Sequence, residues 1–357
     1  MNNEYYIVLK GSNNPIYLDL SDSLSKLEQK TNINYSHFSY FLKVFETIEK
    51  SSSIKNFVFY LTFENLDRLP SYGQNVVAIV LGDEWCRIPK YCHLVRAVFK
   101  CYGTSPTLGC NPLLKPSYLN IMALFNFIRV WTLGLPNRLH YTFEKLKNRQ
   151  SSTVKNAFIY DIPLGYFNQL DLPIKPIEDR LYDVSFAGSI EQKIHSIWSW
   201  KYWLKSSKII ARKKMVSAID YIREENPNIK FDLTINSHFG ASRAADARSY
   251  SEQTMDTKIC LVPRGTSFET YRFFEAIRYG CIVVTEALPS RWFYDDSPAI
   301  KINDWSELME IVDKLVGNQE LMTKKHQESL DWWKTKCSEV AVADYISQKL
   351  NHVEKLV

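Results

Sequence analysis

The stretch that decides the fold reads TKICLVPRGTSFETYRFFEAIRYGCIVV and runs from Thr257 to Val284. It opens with a short apolar run, Ile259–Val262, which is typical of a buried strand in a parallel sheet. A turn follows at residues 263–265, and residues 269–279 then predict a helix, which the next glycine ends. A second buried strand begins at once, over Cys281–Thr285. This order of elements indicates an α/β fold.

The loop between the first strand and the helix has the features of an anion site. Free backbone N–H groups and the helix dipole favour negative charge at a helix N-terminus. Arg264 and Arg272 add fixed positive charge, and Thr266 and Ser267 are small enough for phosphate oxygens to approach closely. Glu275 lies one helical turn further on, where a carboxylate can accept two ribose hydroxyls. Together these residues predict a site for a nucleoside diphosphate, although each of them also fits an ordinary helix or surface position.

The block resembles the C-terminal signature of exostosin-like glycosyltransferases, and further pieces match that family in order. Asp183–Ser189 resembles the strand and glycine turn that open the second domain, and Arg212 with Met215 resembles its Arg-x-x-Leu helix. Pro289–Phe293 resembles the proline and aromatic residue after the last strand. The resemblance covers residues 183–316, and Val283 departs from it because the family commonly has proline there.

The resemblance implies a fold, an activity and partners. The implied fold class is α/β of the GT-B type, with two Rossmann-like lobes and the active site in the cleft between them. The implied activity is transfer of a hexosyl or pentosyl unit, with inversion, from a nucleotide-sugar donor to a glycan or lipid-linked saccharide acceptor. This is the chemistry of polysaccharide biosynthesis. The alternative is a catalytically inactive relative that binds a glycan or a nucleotide.

Three further residues join the predicted donor site. Gly188 and Ser189 follow a buried strand and can offer backbone N–H groups to a diphosphate, although a plain strand-to-helix turn explains them equally well. Arg212 can supply a third cation, but Lys213 and Lys214 beside it also fit a solvated helix face. No Asp-x-Asp occurs in the chain. We therefore expect no metal and no cofactor, because cations and the helix dipole would stabilise the departing diphosphate.

The general base is expected in the first lobe. Val76–Leu81 is the most apolar strand candidate there, and Asp83 and Glu84 follow its carboxyl end, where ligand groups gather in α/β sheets. Either carboxylate could take a proton from the acceptor, or both could belong to a capping turn. His93, His140 and His238 are the alternatives.

Alternating strand and helix patterns divide the chain. Residues 1–165 are predicted to form the acceptor-side lobe, residues 181–338 the nucleotide-sugar-binding lobe, and residues 339–357 a helix that packs back toward the first lobe. A proline-bearing connection separates the two lobes. The first lobe is expected to contain helices near residues 35–49 and 117–130.

Composition and charge narrow the function classes. The chain has 357 residues, 45% of them hydrophobic, which suffices for two folded domains. Its net charge of +5 favours anionic ligands. Nucleic acid is not an expected partner, because the basic stretches are short. The oligomeric state is left open.

Apolar runs and cysteines bear on the compartment. The chain has no uninterrupted apolar run long enough to span a bilayer, so no membrane span is expected. The N-terminus also lacks the pattern of a secretory signal. The expected location is the cytoplasm, with peripheral association at the inner face of the membrane as a further option. Disulfides among Cys86, Cys92, Cys101 and Cys110 are the less favoured alternative to free thiols.

Overall fold

The structure is a computed structural model that describes residues 2–11, 14–20, 38–109, 112–148, 158–167, 169–190, 196–205, 207–236 and 244–354. The chain divides into two compact units. The first unit comprises Met1–Pro106, Val130–Phe167 and Lys336–Val357. The second comprises Thr107–Arg129 and Asn168–Thr335.

Strands and helices alternate along most of the described chain. The strands are β1 Glu4–Ile7, β2 Ile16–Tyr17, β3 Val58–Thr62, β4 Gly73–Val80, β5 Val95–Lys100, β6 Phe158–Asp161, β7 Tyr182–Ser189, β8 Phe231–Asn236, β9 Thr257–Val262, β10 Ile282–Thr285 and β11 Ile300–Lys301. The helices are α1 Ser39–Ser51, α2 Tyr118–Asn148, α3 Trp200–Lys205, α4 Ser207–Glu225, α5 Ala244–Met255, α6 Tyr271–Arg278, α7 Leu308–Val316, α8 Gln319–Trp332 and α9 Glu339–Glu354.

The first unit is built on a sheet whose described strands lie in the order β2-β1-β3-β4-β5-β6. Only the short β2 pairs antiparallel to its neighbour, and the other pairings are parallel. Strands β3 and β5 and residues 76–80 of β4 are almost entirely buried and mostly apolar, as expected for parallel strands covered on both faces.

The second unit holds a fully parallel sheet in the order β11-β10-β9-β7-β8 among the described strands. Val184, Ile259 and Ile282 lie side by side in register across three strands and are buried. Trp305 and Met215 belong to the same hydrophobic core. Two Rossmann-like α/β units therefore confirm the fold class predicted from the sequence. The predicted cleft between them remains a prediction.

The units differ from the predicted division in the segment that leads into α2. Residues 107–129 belong to the second unit, whereas the sequence placed them in the first lobe. Helix α2 also continues to Asn148, far beyond its predicted end at Val130. The prediction stopped early because Gly134 and Pro136 usually break helices. The helix persists there with Gly134 buried and with the Asn137 side chain bonded to the backbone of Ile88.

Within α2, Tyr118–Leu146 is long and apolar enough, by length and composition, to cross a membrane. The sequence reading did not expect such a segment, because polar residues interrupt every apolar run in it. A buried helix of a folded core passes the same test, and 39% of the tested window is buried.

The described cysteines are free thiols, all of them buried: Cys86, Cys92, Cys101, Cys260, Cys281 and Cys337. Cys110 lies outside the described residues. Burial raises the pKa of the Cys92 thiol to about 12, which disfavours the reactive thiolate.

A buried histidine closes the end of α6. Gly280 follows that helix with φ +75°, and a Cβ built there would lie 2.5 Å from Nδ1 of His326. The Nδ1–H group of His326 donates to the carbonyl oxygen of Gly280 at 2.7 Å. Burial lowers the pKa of His326, and Arg180 acts in the same direction, while the Gly280 bond and Glu178 oppose the shift. The folded chain therefore favours the neutral form of this imidazole.

We expect mild acid to destabilise the second unit through His326. In the unfolded chain this histidine binds a proton below pH about 6.5, the ordinary pKa of histidine. The folded state binds that proton only at lower pH. The contribution of neutral His326 to the free energy of unfolding is therefore complete above pH about 6.5 and is lost as the pH falls below that value. Thermal unfolding midpoints between neutral and acidic pH should show a steeper loss for the natural chain than for His326→Gln. Equal slopes would remove His326 as the cause.

Candidate functional site

The predicted site residues of the second unit gather where its strand order reverses. The chain passes from β7 to β8 on one side of β7, and β9 then pairs on the other side. In open α/β sheets, ligands bind at the carboxyl ends of strands at such a switch point. Gly188 and Ser189 end β7 there, and Pro263 and Arg264 directly follow β9.

Arg272, in the first turn of α6, reaches the end of β7. Its guanidinium carbon lies 4.7 Å from the centre of the Phe186 ring, a cation–π contact. A Cβ built on Gly188 would lie 2.3 Å from Nη2 of Arg272, so a side chain at this position would displace the guanidinium. Nε of Arg272 is buried and has no hydrogen-bond partner among the described residues. The structure thus brings together Gly188 and Arg272, two residues that the sequence predicted separately.

Arg212 of α4 lies at the same end of β7. It is 6% exposed, and its Nη1 donates to both the carbonyl oxygen and the hydroxyl of Ser189. The alternative of a solvated face is therefore wrong for Arg212 itself, although Lys213 beside it is exposed. The contact fixes the last residue of β7 and places a second cation at this end of the strand.

Arg264 is a buried cation in the turn after β9. Its guanidinium carbon lies 4.1 Å from the ring centre of Phe268, and its Nη2 donates to the carbonyl oxygen of Thr266 at 3.2 Å. Nε and Nη1 have no hydrogen-bond partner within the described part of the chain. Burial lowers the pKa of the Arg264 guanidinium, and Glu286 opposes that shift. Unpaired buried donors are costly, and they fit an anionic ligand that is not part of the chain.

Glu286, at the end of β10, was not predicted. Its Oε1 accepts hydrogen bonds from the backbone N–H of Arg264 at 3.3 Å and from Nε1 of Trp305 at 3.1 Å. Burial raises the pKa of Glu286, while Arg264 lowers it. Its position just after a buried strand is the signal that could have identified it.

The loop between Arg264 and α6 is held by its own hydrogen bonds. The carbonyl oxygen of Thr266 also accepts from the amide of Asn126 at 3.3 Å, and the Ser267 hydroxyl accepts from the backbone N–H of Glu269 at 3.2 Å. Thr270, the residue before α6, makes no side-chain capping bond to the helix. The loop therefore presents a helix N-terminus without the usual side-chain cap, which favours an anion there.

Glu275 lies deeper than expected for a residue that binds ribose. It is 4% exposed, and its Oε2 accepts a hydrogen bond from the Tyr250 hydroxyl at 2.8 Å. Burial raises the pKa of Tyr250 well above its usual range, with Glu275 adding to the shift, so Tyr250 stays a neutral donor. Tyr250 was missed because α5 carries no strong helix pattern in the sequence.

In the first unit the two predicted bases occupy different environments. The Asp83 side chain is fully buried and forms ion pairs with Nζ of Lys100 at 3.2 Å and with Nε of Arg87 at 3.0 Å. Lys100 is also fully buried. A carboxylate that is fully buried and engaged by two cations is not presented to an acceptor hydroxyl, so this environment does not suit a general base. Glu84 is half-buried on the same loop.

The alternative bases are histidines. His93 and His140 line a shallow depression of the first unit together with Tyr141 and Glu144. His238 lies outside the described residues. Within the described ranges, no group of three or more histidine, cysteine, aspartate or glutamate side chains is placed to hold a metal ion. Metal independence stays a prediction.

No family model matches the chain, and no curated protein matches it in sequence. Solved structures do match. The pneumococcal O-GlcNAc transferase GtfA in complex with UDP and GlcNAc is 11% identical over 88% of this chain and 60% of its own, with a TM-score of 0.42. The chain thus spans less than two thirds of that protein.

Two other solved structures match over nearly their whole length. Sucrose-phosphate synthase from Thermosynechococcus elongatus is 10% identical over 100% of both chains, with a TM-score of 0.42. The T4 phage protein BGT in complex with its UDP-glucose substrate is 10% identical over 98% of this chain and 99% of its own, with a TM-score of 0.42. These likenesses concern the fold alone and carry no conclusion about activity.

Proposed function

We propose that this chain is a glycosyltransferase that moves a sugar from a nucleotide-sugar donor to a glycan or lipid-linked saccharide acceptor. The observation that carries the proposal is the pair of guanidinium groups at the switch point of the second unit, Arg264, which is buried, and Arg272, whose Nε is buried. Both have nitrogen donors without a partner among the described residues. The resemblance to exostosin-like glycosyltransferases over residues 183–316 supports the same reading.

In this proposal the second unit holds the donor. Arg264, Arg272 and the N-terminus of α6 stabilise the negative charge that develops on the departing diphosphate. Gly188 leaves space for the Arg272 guanidinium, and Thr266 and Ser267 offer backbone groups to phosphate oxygens. Arg212 and Ser189 are positioning residues, because the Arg212 guanidinium donates to the carbonyl oxygen and the hydroxyl of Ser189 and so holds the end of β7 in place.

Glu275 is proposed to bind ribose. Because one of its carboxylate oxygens already accepts a hydrogen bond within the protein, Glu275 would bind the ribose mainly through one hydroxyl and not through two. The Tyr250 hydroxyl donates to Oε2 of Glu275. A ribose hydroxyl would therefore either compete with Tyr250 for Oε2 or donate to Oε1. The nucleobase and the sugar are not specified by these contacts.

Glu84 is the proposed general base. It is the more accessible of the two carboxylates that follow β4, because it is half-buried whereas Asp83 is buried. Deprotonation of the acceptor hydroxyl by Glu84, with direct attack on the anomeric carbon, would invert the sugar configuration. We further propose a cytoplasmic location, where nucleotide-sugar donors are available.

The reaction is proposed to need no metal ion, because no Asp-x-Asp is present to hold one on the diphosphate. Incubation of the full chain with a panel of UDP-, GDP- and CMP-sugars and a crude glycan acceptor should release free nucleotide from at least one donor. Release should continue in EDTA. Loss of turnover in EDTA, restored by Mn²⁺ or Mg²⁺, would contradict metal independence but would leave the transferase proposal intact.

The same assay separates the enzyme from its alternative. A catalytically inactive relative would bind a nucleotide or a glycan without releasing nucleotide from any donor. Binding without release would therefore overturn the transferase proposal and leave the nucleotide site standing.

A further inference from the structure

The C-terminal half of α2 turns its apolar side outward. Trp131, Leu139, Phe143 and Leu146 are 44–68% exposed and recur at helical spacing. We call these four side chains, with the half-buried Leu135 between them, the α2 stripe. Exposed apolar residues that form a continuous row, rather than isolated positions, mark a surface that a partner or a membrane covers.

The opposite side of this helix segment attaches it to the first unit. Val130 and Gly134 are buried there, and Asn137 bonds the backbone of Ile88 in both directions, at 2.7 and 2.9 Å. Tyr141 packs against the hydrophobic core of that unit. The polar bonds therefore face the protein and the apolar row faces away from it. An ordinary surface helix of a water-soluble protein has a polar outer side, whereas this segment carries apolar side chains on its outer side as well as on the side packed against the unit.

The charges beside the stripe suit an anionic surface. Arg138 and Lys145 fall on one flank of the stripe at helical spacing, and Glu144 falls on the far side. Over its whole length α2 contains four basic residues and one acidic residue. A helix with an apolar, aromatic-bearing face and basic flanks lies in the interface of a membrane that contains anionic lipid.

We propose that the α2 stripe docks the first unit on the surface of a membrane with anionic lipid headgroups. The stripe enters the boundary between headgroups and acyl chains, and Lys145, which is exposed on the flank of the stripe, contacts the headgroups. The guanidinium of Arg138 donates to the carbonyl oxygen of Thr104 at 3.4 Å and flanks the stripe from the protein side. A second copy of the chain fits less well, because a symmetric contact would bring the same basic flank against itself. The helix lies on the membrane and does not cross it, since its other face is bonded into the folded unit.

The experiment is cosedimentation of the full chain with vesicles of phosphatidylcholine alone or mixed with phosphatidylglycerol. The natural chain should bind the anionic vesicles more strongly and should be released by carbonate. Leu139→Glu combined with Phe143→Glu should weaken binding at least about 100-fold. Lys145→Glu should weaken it about fivefold or more, with an effect that shrinks at high salt.

Val340→Glu is the matched control, because Val340 is a single exposed apolar residue on another helix of the same unit, 57% exposed. It should bind like the natural chain.

Thermal unfolding checks that each variant folds, and Leu139→Ser with Phe143→Ser replaces the glutamate pair if that pair unfolds. No binding by the natural chain, unchanged binding by the stripe variants, or retention in carbonate would overturn the proposal. So would a stripe-dependent dimer in sedimentation velocity without vesicle binding. None of these outcomes affects the donor-site proposal, which the nucleotide release assay tests separately.

Discussion

Replacing Glu84 by glutamine is expected to lower turnover about 10²–10⁴-fold, the range that general-base catalysis contributes. The amide keeps the size of the side chain but cannot accept the acceptor proton. Donor affinity should barely change, because the base acts only in the transition state and not on the bound donor. Steady-state kcat, with donor affinity measured separately by calorimetry, checks both parts.

Glu64→Gln is the matched control for that variant. Glu64 follows the neighbouring strand β3 as Glu84 follows β4, and it is exposed in an ion pair with Lys10. Turnover of this control should stay near that of the natural chain. If Glu84→Gln also keeps near-normal turnover, the base lies elsewhere, and His93 of the first unit becomes the next candidate.

Replacing Asp83 by asparagine is expected to lower the free energy of unfolding by about 3–5 kcal/mol, the cost of breaking a buried ion pair from one side. The reason is Lys100, which is fully buried and would lose its anionic partner. Urea denaturation of the purified variant, beside Glu84→Gln as a folded reference, measures the effect. Normal stability together with lost turnover would instead identify Asp83 as the base.

The sequence predicted those parts of the site that lie close together along the chain. Strand β9, its turn and helix α6 carry local signals: an apolar run, a proline and glycine turn, and a helix ended by glycine. Arg264 and Arg272 were therefore placed correctly at the end of a strand and the start of a helix. Their unpaired nitrogens and their aromatic partners depend on packing and could not be read from the pattern.

Contacts between distant segments were the part that sequence reasoning missed. The bond from Tyr250 to Glu275 joins two helices whose mutual position no local pattern gives. The ion pair of Asp83 with Lys100 joins the ends of two parallel strands. This contact distinguishes Asp83 from Glu84, two neighbouring carboxylates that were equivalent candidates in the sequence. The helix predicted at α2 ended too early, because the proline within the segment weighed more in the prediction than the apolar spacing on both sides of it.

The central claim is that a nucleoside diphosphate binds at the switch point of the second unit, and calorimetric titration with UDP, GDP and CDP tests it most directly. One of them should bind the natural chain, and Arg272→Ala should weaken that binding by about 1.5–3 kcal/mol, the scale of a charge-assisted hydrogen bond. Gly188→Ala should also weaken it with little loss of stability, because its Cβ meets the movable end of the Arg272 side chain. Arg248→Ala, on an exposed arginine of the same unit paired with Glu252, is the control and should bind normally. Equal affinity in the natural chain and in Arg272→Ala, or no binding of any of the three nucleotides, would contradict the account.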